Sequence, residues 1–323
     1  MRRKSPFILG MILVFFIGSF SLSSVLAVDN TAKAASNEEI EKTLAELRAE
    51  IKTNGYTYTV DYNDTLQYPL DQLCGFRPEF VFLNDDSSLL TRQTALPSTR
   101  DLPARYIGYY TPIKDQGSCG SCWAFAMAGT VEAQILRGLG SEVDISEQWL
   151  LDCNPWGWDC VGGNFNYWMF MSTGGIDGDC YPYLGYKTPC NHSCPYLYFV
   201  YDWDWVVNGY SVAPVNLIKE AIMEYGSVSV GIYASTAFHY YSGGIFNNCY
   251  SGQPDHAVIL CGWDDSIGCW LLKNSWGPTW GGVDIDRSGK VDPDELGYMW
   301  ITYGCNNVGF GASFPIPYYG GRP

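Results

Sequence analysis

A chain of 323 residues with 47% apolar and 16% charged residues has enough to bury for one large domain or two modest ones, and too little charge for wholesale disorder. Its formal charge of −15 argues against a nucleic-acid partner, because such binding relies on Lys and Arg to neutralise phosphates. Twelve cysteines beside only three histidines point to a disulfide framework in an oxidising compartment and away from a zinc protein.

The first predicted element is an address. Arg2, Arg3 and Lys4 precede an almost wholly apolar run from Phe7 to Phe20, and Ser23 to Ala27 supplies small residues for cleavage. That layout predicts a signal peptide over 1–27 and a secreted, extracellular or cell-envelope protein. A retained anchor helix is the alternative, and the one case in which the chain would meet a membrane. Next, the spacing of Ile40, Leu44, Leu47 and Ile51 predicts a surface helix over 37–52, with Ser36 as cap and Glu39 three residues on. Residues 56–62, YTYTVDY, have the composition of a strand. No strong chemistry precedes residue 100, so 28–95 is the candidate propeptide and 96–323 the candidate catalytic domain.

Beyond Leu96-Pro97, a long helix is predicted over 122–137, closed by Gly138 and Gly140. The stretch 153–194 is too dense in turns for regular structure. A second helix is predicted over 215–225 behind Pro214, followed by strands at 227–233, 256–263, 269–274 and 297–303. Helices first and strands later predict an α+β fold of two lobes, one helical and one β-barrel-like, with a cleft between them.

Residues 116–125 read QGSCGSCWAF. Cys122 opens the long helix, where unpaired N–H groups and the helix dipole favour a thiolate and lower its pKa. Taken alone, a cysteine in such a chain is more often half of a disulfide. The segment nevertheless resembles the active-site signature of the papain family of cysteine peptidases, and three further stretches follow in family order. Asp255-His256-Ala257 resembles the histidine motif and Asn274-Ser275-Trp276-Gly277 the asparagine motif. Residues 96–116, ending in TPIKDQG, resemble the start of the mature enzymes, and the likeness extends to about Pro315.

The resemblance implies a role for each residue. Cys122 would be a nucleophilic thiolate paired with His256, which Asn274 orients. Gln116 and the Cys122 N–H would form the oxyanion hole, Trp276 would shield the Asn–His contact, and the backbone of Gly162 and Gly163 would line the substrate. It further implies protein or peptide substrates with an apolar side chain one residue before the cleaved one. The chain's own propeptide would act as inhibitor, running through the cleft in reverse, and no organic cofactor is needed. Disulfides Cys119–Cys160 and Cys153–Cys190 fall where the family has bridges, and Cys249–Cys305 does so with its second partner displaced. Cys180–Cys194 and Cys261–Cys269 are expected from proximity alone. Cys74 is left over, within a Leu73-Cys74-Gly75 stretch resembling some bacterial proregions. It is a free or otherwise paired thiol, or else the partner of Cys122 in a mixed disulfide.

One motif lies outside the family pattern. Residues 284–295, DIDRSGKVDPDE, place oxygen-bearing side chains at loop positions one, three, five, nine and twelve: Asp284, Asp286, Ser288, Asp292 and Glu295. Gly289 stands at six, and the carbonyl of Lys290 would also coordinate. This is the ligand spacing of an EF-hand loop, so a structural calcium ion is expected. Asp292, Pro293 and Glu295 predict a helical exit, whereas the entry is not helical. Three other functions use the same features: an exopeptidase, a transpeptidase, or an inactive calcium-dependent binding protein on the same scaffold. Intact Cys122, His256, Asn274 and Gln116 weigh against the last.

Overall fold

The computed structural model describes residues 35–79, 101–209 and 211–318. The predicted signal peptide and the 95/96 junction lie outside them, and no helix of the described residues is long and apolar enough to cross a membrane.

Helix α1 spans Asn37–Asn54 and carries the full capping box, Ser36 accepting from Glu39 N and Glu39 reaching back to Ser36 N. Ile40, Leu44 and Leu47 form its buried stripe, each contributing about 1.5–3 kcal/mol of apolar burial. Gly55, at φ 67°, ends it in the left-handed conformation that glycine adopts without strain. Strand β1 (Thr57–Val60) follows, then the one-turn helix α2 (Leu70–Leu73) and an extended run to residue 79.

After β2 (Arg105–Ile107), helix α3 runs Cys122–Leu139, passing through Gly138 and ending at Gly140. Every residue from Cys122 to Gln134 is buried. The helix packs chiefly against β8 (His256–Asp264) and also meets β11 (Phe310–Pro317). Helix α4 (Glu147–Cys153) lies beside it. Lys114, just before the QGSCGSC segment, reaches Glu132 of α3 at 2.7 Å, Glu147 of α4 at 2.8 Å and Asp144 at 2.5 Å. Those carboxylates satisfy a largely buried ammonium and fix the chain entering the site.

The 153–194 stretch holds more order than its turn-rich composition predicts. Helix α5 (Trp168–Ser172) and strand β3 (Gly175–Ile176) form there, and β3 pairs with β4 (Tyr196–Tyr198). Bridges Cys119–Cys160, Cys153–Cys190, Cys180–Cys194 and Cys249–Cys305 are all present.

The remaining elements are β5 (Val200–Trp205), α6 (Val215–Tyr225), β6 (Val228–Ile232), α7 (Thr236–His239), β7 (Tyr241–Phe246), β9 (Cys269–Lys273) and β10 (Tyr298–Thr302). They build one nine-stranded sheet in the order β1-β7-β10-β9-β8-β6-β11-β5, with β2 added on β8. The sheet is open among the described residues: β1 and β5 are its edges and do not meet, so the barrel-like lobe closes no barrel. The N-terminal segment thus supplies an edge strand, pairing antiparallel with β7 from Thr57↔Ile245 to Val60↔Tyr241.

Two sequence expectations are corrected here. Cys261 and Cys269 are both free. The β8–β9 register sets Cys269 opposite Asp264, three residues beyond Cys261, at roughly 3.3 Å per residue and so out of disulfide reach. The exit of the 284–295 loop is a single 3-10 turn, Pro293–Glu295, because Leu296 returns to extended backbone and feeds β10.

Candidate active site

Strand pairing and one helix end bring the predicted residues together. His256 is the first residue of β8, and Asn274 follows the last residue of the neighbouring strand β9. The His256 Nε2–H donates to Asn274 Oδ1 at 2.8 Å. That bond fixes the neutral imidazole with its proton on Nε2 and leaves Nδ1 as a lone-pair acceptor. Trp276 covers the pair, its ring centroid 4.6 Å from that of His256, with Phe238 and Trp280 behind it.

Cys122 begins α3 against the start of β8, where the Ala257 N–H donates to its sulfur at 3.4 Å. His256 Nδ1, Asn274 Nδ2 and Trp276 Nε1 are buried and make no hydrogen bond. The thiol and the imidazole are therefore adjacent in the fold but not hydrogen-bonded to one another. Gln116 sits beside them, its Oε1 accepting from Ser275 Oγ at 2.7 Å.

The N-terminal segment runs across this group. Gln116 Nε2 donates to Leu73 O and to Cys119 O, both at 2.8 Å. The Gly75 N–H faces the Cys122 sulfur closely enough to favour its thiolate. The Phe76 N–H donates to Asp255 O at 2.8 Å, Gly163 N–H to Gly75 O at 2.9 Å, and Arg77 N–H to Gly163 O at 2.8 Å. This last pair makes Phe76 a parallel partner of Gly163. Gly75 has to be glycine: a Cβ there would lie 1.7 Å from Gly120 O. Gly162 is equally tied, with φ 148° and Gly75 O only 2.6 Å from where its Cβ would stand.

Burial under this segment sets the electrostatics. Desolvation pushes the Cys122 thiol up to about 11, although the Ala257 and Gly75 N–H groups favour its thiolate. Desolvation pulls His256 down to about 4, against the Asn274 hydrogen bond. Burial of the sulfur thus outweighs the helix end and sets the thiol above, not below, its usual value. An ion pair is suppressed on both partners.

Sequence reasoning missed several residues. Phe76, 1% exposed, inserts between Phe165 (ring centroids 4.7 Å apart) and Phe310 (6.5 Å), over Gly231, where a Cβ would come within 2.5 Å of its ring. Only Gly231, a glycine inside a fully buried strand, hinted at that pocket. His239 was also passed over; its Nε2 meets Thr65 O at 3.2 Å, and Asn63 Nδ2 donates to its carbonyl.

In the 284–295 loop, the carboxylates of Asp284, Asp286 and Glu295 converge within 4.8 Å of one another. The other three predicted ligands are engaged among themselves: Ser288 Oγ donates to Lys290 O at 3.2 Å, and Lys290 Nζ pairs with Asp292 at 2.5 Å. Glu295 accepts from Ile285 N, Asp286 N and Asp292 N.

The chain resembles known proteins over most of its length. Residues 96–288 match the papain family of cysteine proteases. Mouse cathepsin K is 33% identical over 261 residues, 75% of this chain and 77% of that protein, and rat cathepsin J is 36% identical over 64% of each. Among solved structures, digestive procathepsin L 3 of Tenebrio molitor larval midgut matches with TM-score 0.69 and 25% identity over 86% of this chain and 89% of that one. The cysteine protease CMS1MS2 of Carica candamarcensis, solved in complex with E-64, matches with TM-score 0.55 and 30% identity, over 67% of this chain and 99% of that one.

Proposed function

The chain belongs to the papain family of cysteine proteases, and from that premise we propose a secreted endopeptidase made as an inactive precursor, with residues 1–27 its signal peptide, 28–95 an inhibitory prosegment and 96–323 the enzyme. The observation that carries this reading is the main chain of residues 73–77 lying over Cys122, with the Leu73 carbonyl on the Gln116 amide. The prosegment engages the groups a substrate would need, but in a parallel sense on Gly163, so its peptide bonds are presented backwards.

Once the segment leaves, each side chain has work for which it is already aligned. His256 Nδ1 takes the Cys122 proton, and the thiolate attacks the scissile carbonyl carbon. Charge on the carbonyl oxygen is met by Gln116 Nε2–H and the Cys122 N–H. The imidazolium, oriented by Asn274, then protonates the leaving amine as the tetrahedral species collapses to a thioester. Water, deprotonated by the same imidazole, hydrolyses that thioester and restores the thiol. Trp276 keeps solvent from the Asn274 contact. Gly163 pairs with the substrate strand, while Gly162 allows its close approach. Phe76 marks the pocket for an apolar side chain before the cleaved residue.

The 284–295 loop fits a calcium ion in a structural role. Three carboxylates lie within 4.8 Å of one another, held by backbone N–H groups of the loop, a density of negative charge that a cation between them would relieve, and Lys290 is committed to Asp292. The ion would supply positive charge only. Asp284, Asp286 and Glu295 would hold it, with Ser288, the Lys290 carbonyl and Asp292 completing the set after a local turn.

The test is intact mass of the reduced, processed protein before and after a thiol-reactive epoxide, with Cys122→Ala as control. One adduct that abolishes peptide hydrolysis and disappears in the variant is the expected result. Absence of an adduct with calcium present transfers the chain to the inactive binding-protein reading.

A further inference from the structure

Eight of the twelve cysteines form the four disulfides, and Cys74, Cys122, Cys261 and Cys269 remain free. The last two serve separate places: Cys261 Sγ faces Leu271 O, while Cys269 Sγ faces Ile267 O and Thr302 Oγ1. Cys74 lies in the stretch of main chain that crosses the Cys122 site, between Leu73, which binds the Gln116 amide, and Gly75, which packs against Gly120. Cys74 is held on both sides by bonds to the site, through Leu73 O on the Gln116 amide and through Gly75 O on the Gly163 N–H. The Gly75–Gly120 approach and the Gly75–Gly163 pair prevent the chain from sliding. Both thiols are buried, at 3% and 0% exposure, and a negative charge on Cys122 is felt at Cys74. A prosegment that only filled the cleft would not need a cysteine at this residue.

We propose that Cys74 is a redox latch, closing on Cys122 in a disulfide that keeps the precursor inert until a thiol reductant opens it. The inference rests on the reading of 28–95 as an inhibitory prosegment. The oxidant is a low-molecular-weight disulfide, RSSR. The Cys122 thiolate attacks one of its sulfurs, forming Cys122–S–SR and expelling RS⁻. The Cys74 thiolate then attacks the Cys122 sulfur, forming Cys74–S–S–Cys122 and expelling a second RS⁻. The two protons given up by the cysteines end on the two RS⁻, so RSSR becomes two RSH. Two RSH reverse the sequence. Burial raises both thiols, so exchange waits on local opening of the segment and the closed latch persists. The latch does what packing alone does not: a transient lifting of the segment still leaves the nucleophile covalently occupied.

The experiment uses the full-length precursor, reduced, desalted, exposed to oxidised glutathione, alkylated and digested without reduction. The expected result is a cross-linked peptide joining Cys74 to Cys122, loss of both thiols to alkylation, and no peptide hydrolysis until dithiothreitol is added. Cys74→Ser should carry glutathione on Cys122 instead of a cross-link, and Cys74→Ala replaces it if the serine variant does not fold. Recovery of Cys122 alkylated or glutathionylated in the wild-type precursor overturns the latch. If that happens while the reduced protein still processes and hydrolyses peptide, the prosegment reading stands without it. A reduced precursor fully active with residues 28–95 attached overturns the prosegment reading itself.

Discussion

Replacing Phe76 by Ala should loosen the N-terminal segment while leaving the enzyme beneath it intact. Phe76 is 1% exposed, packed at a tilt against Phe165 and set edge-on to Phe310, with Gly231 as the floor of its pocket. Truncating a buried phenylalanine to alanine costs about 3–5 kcal/mol in a closed core. The lower end applies here, since the segment can settle toward the floor. Its backbone bonds to Asp255 and Gly163 do not depend on the ring. About 3 kcal/mol corresponds to roughly a 10²-fold larger population of the lifted segment. The assay is the rate at which a thiol-reactive epoxide modifies Cys122 in the full-length, reduced precursor. Cys122 is fully buried beneath the segment, so labelling follows the open population when closing is fast. The variant should label roughly 10²-fold faster, and the processed enzyme, which lacks residue 76, should be unchanged. An unaltered labelling rate would refute the idea that Phe76 anchors the segment, and with it the assignment of the Phe165–Gly231–Phe310 pocket.

Asn274→Ala removes the acceptor of the His256 Nε2–H; losing a buried hydrogen bond worth about 1–3 kcal/mol should lower kcat of the processed enzyme roughly 10- to 100-fold. KM should hold, and a change confined to KM would refute an orienting role. Acid should release the segment partly through His239, which burial under Asn63–Thr65 lowers from 6.5 to about 4. A histidine lowered in the closed form binds its proton only when released, so it does not affect docking above pH 6.5 and weakens it as pH falls toward 4, by at most about 3 kcal/mol. His256, also about 4, acts in the same direction. Asp255, raised to about 6, opposes them, because its buried carboxyl prefers the protonated form reached on acidification. Processing of His239→Gln should accelerate less between pH 6.5 and 4 than that of the wild type, and identical profiles would exclude His239. Chelation should lower the thermal midpoint, since calcium at a hundred times its Kd stabilises by about 2.7 kcal/mol. Asp284→Ala should abolish that dependence; a midpoint indifferent to calcium in the wild type would remove the ion from the account.

Much of the site could be read in advance because its residues are tied to local signals. Cys122 stands at a helix start, and His256 and Asn274 stand at the ends of strands, but it was the likeness of the motifs around them to the papain family, rather than the elements themselves, that singled them out. The Ser36–Glu39 capping box likewise marked the start of α1 to the residue. Register is a different kind of information. Cys261 and Cys269 flank a hairpin, yet pairing is decided by which residues cross, and Asp264 takes that position. The run from Leu73 to Arg77 carried no periodicity, because its contacts are to Gln116, Asp255 and Gly163, far away in the chain. A turn's ligand spacing was legible in 284–295, but not that Ser288, Lys290 and Asp292 engage one another.

The pairing of β1 with β7 bears on how the protein survives its own production. If residues 35–79 are removed on maturation, as proposed, Tyr241–Phe246 becomes the rim of the sheet, and a bare rim is a template on which a stranger's strand can dock. The precursor carries its own plug for that rim, covalently attached and therefore immune to dilution. Gly243 and Gly244 lie in the middle of the rim, and a Cβ at Gly244 would stand 2.4 Å from Thr57 O. The rim accepts a strand that fits around that kink and is a poor match for a flat one. Clumping is thus a hazard that begins with maturation: crowded precursor should stay monodisperse at concentrations where the processed enzyme self-associates.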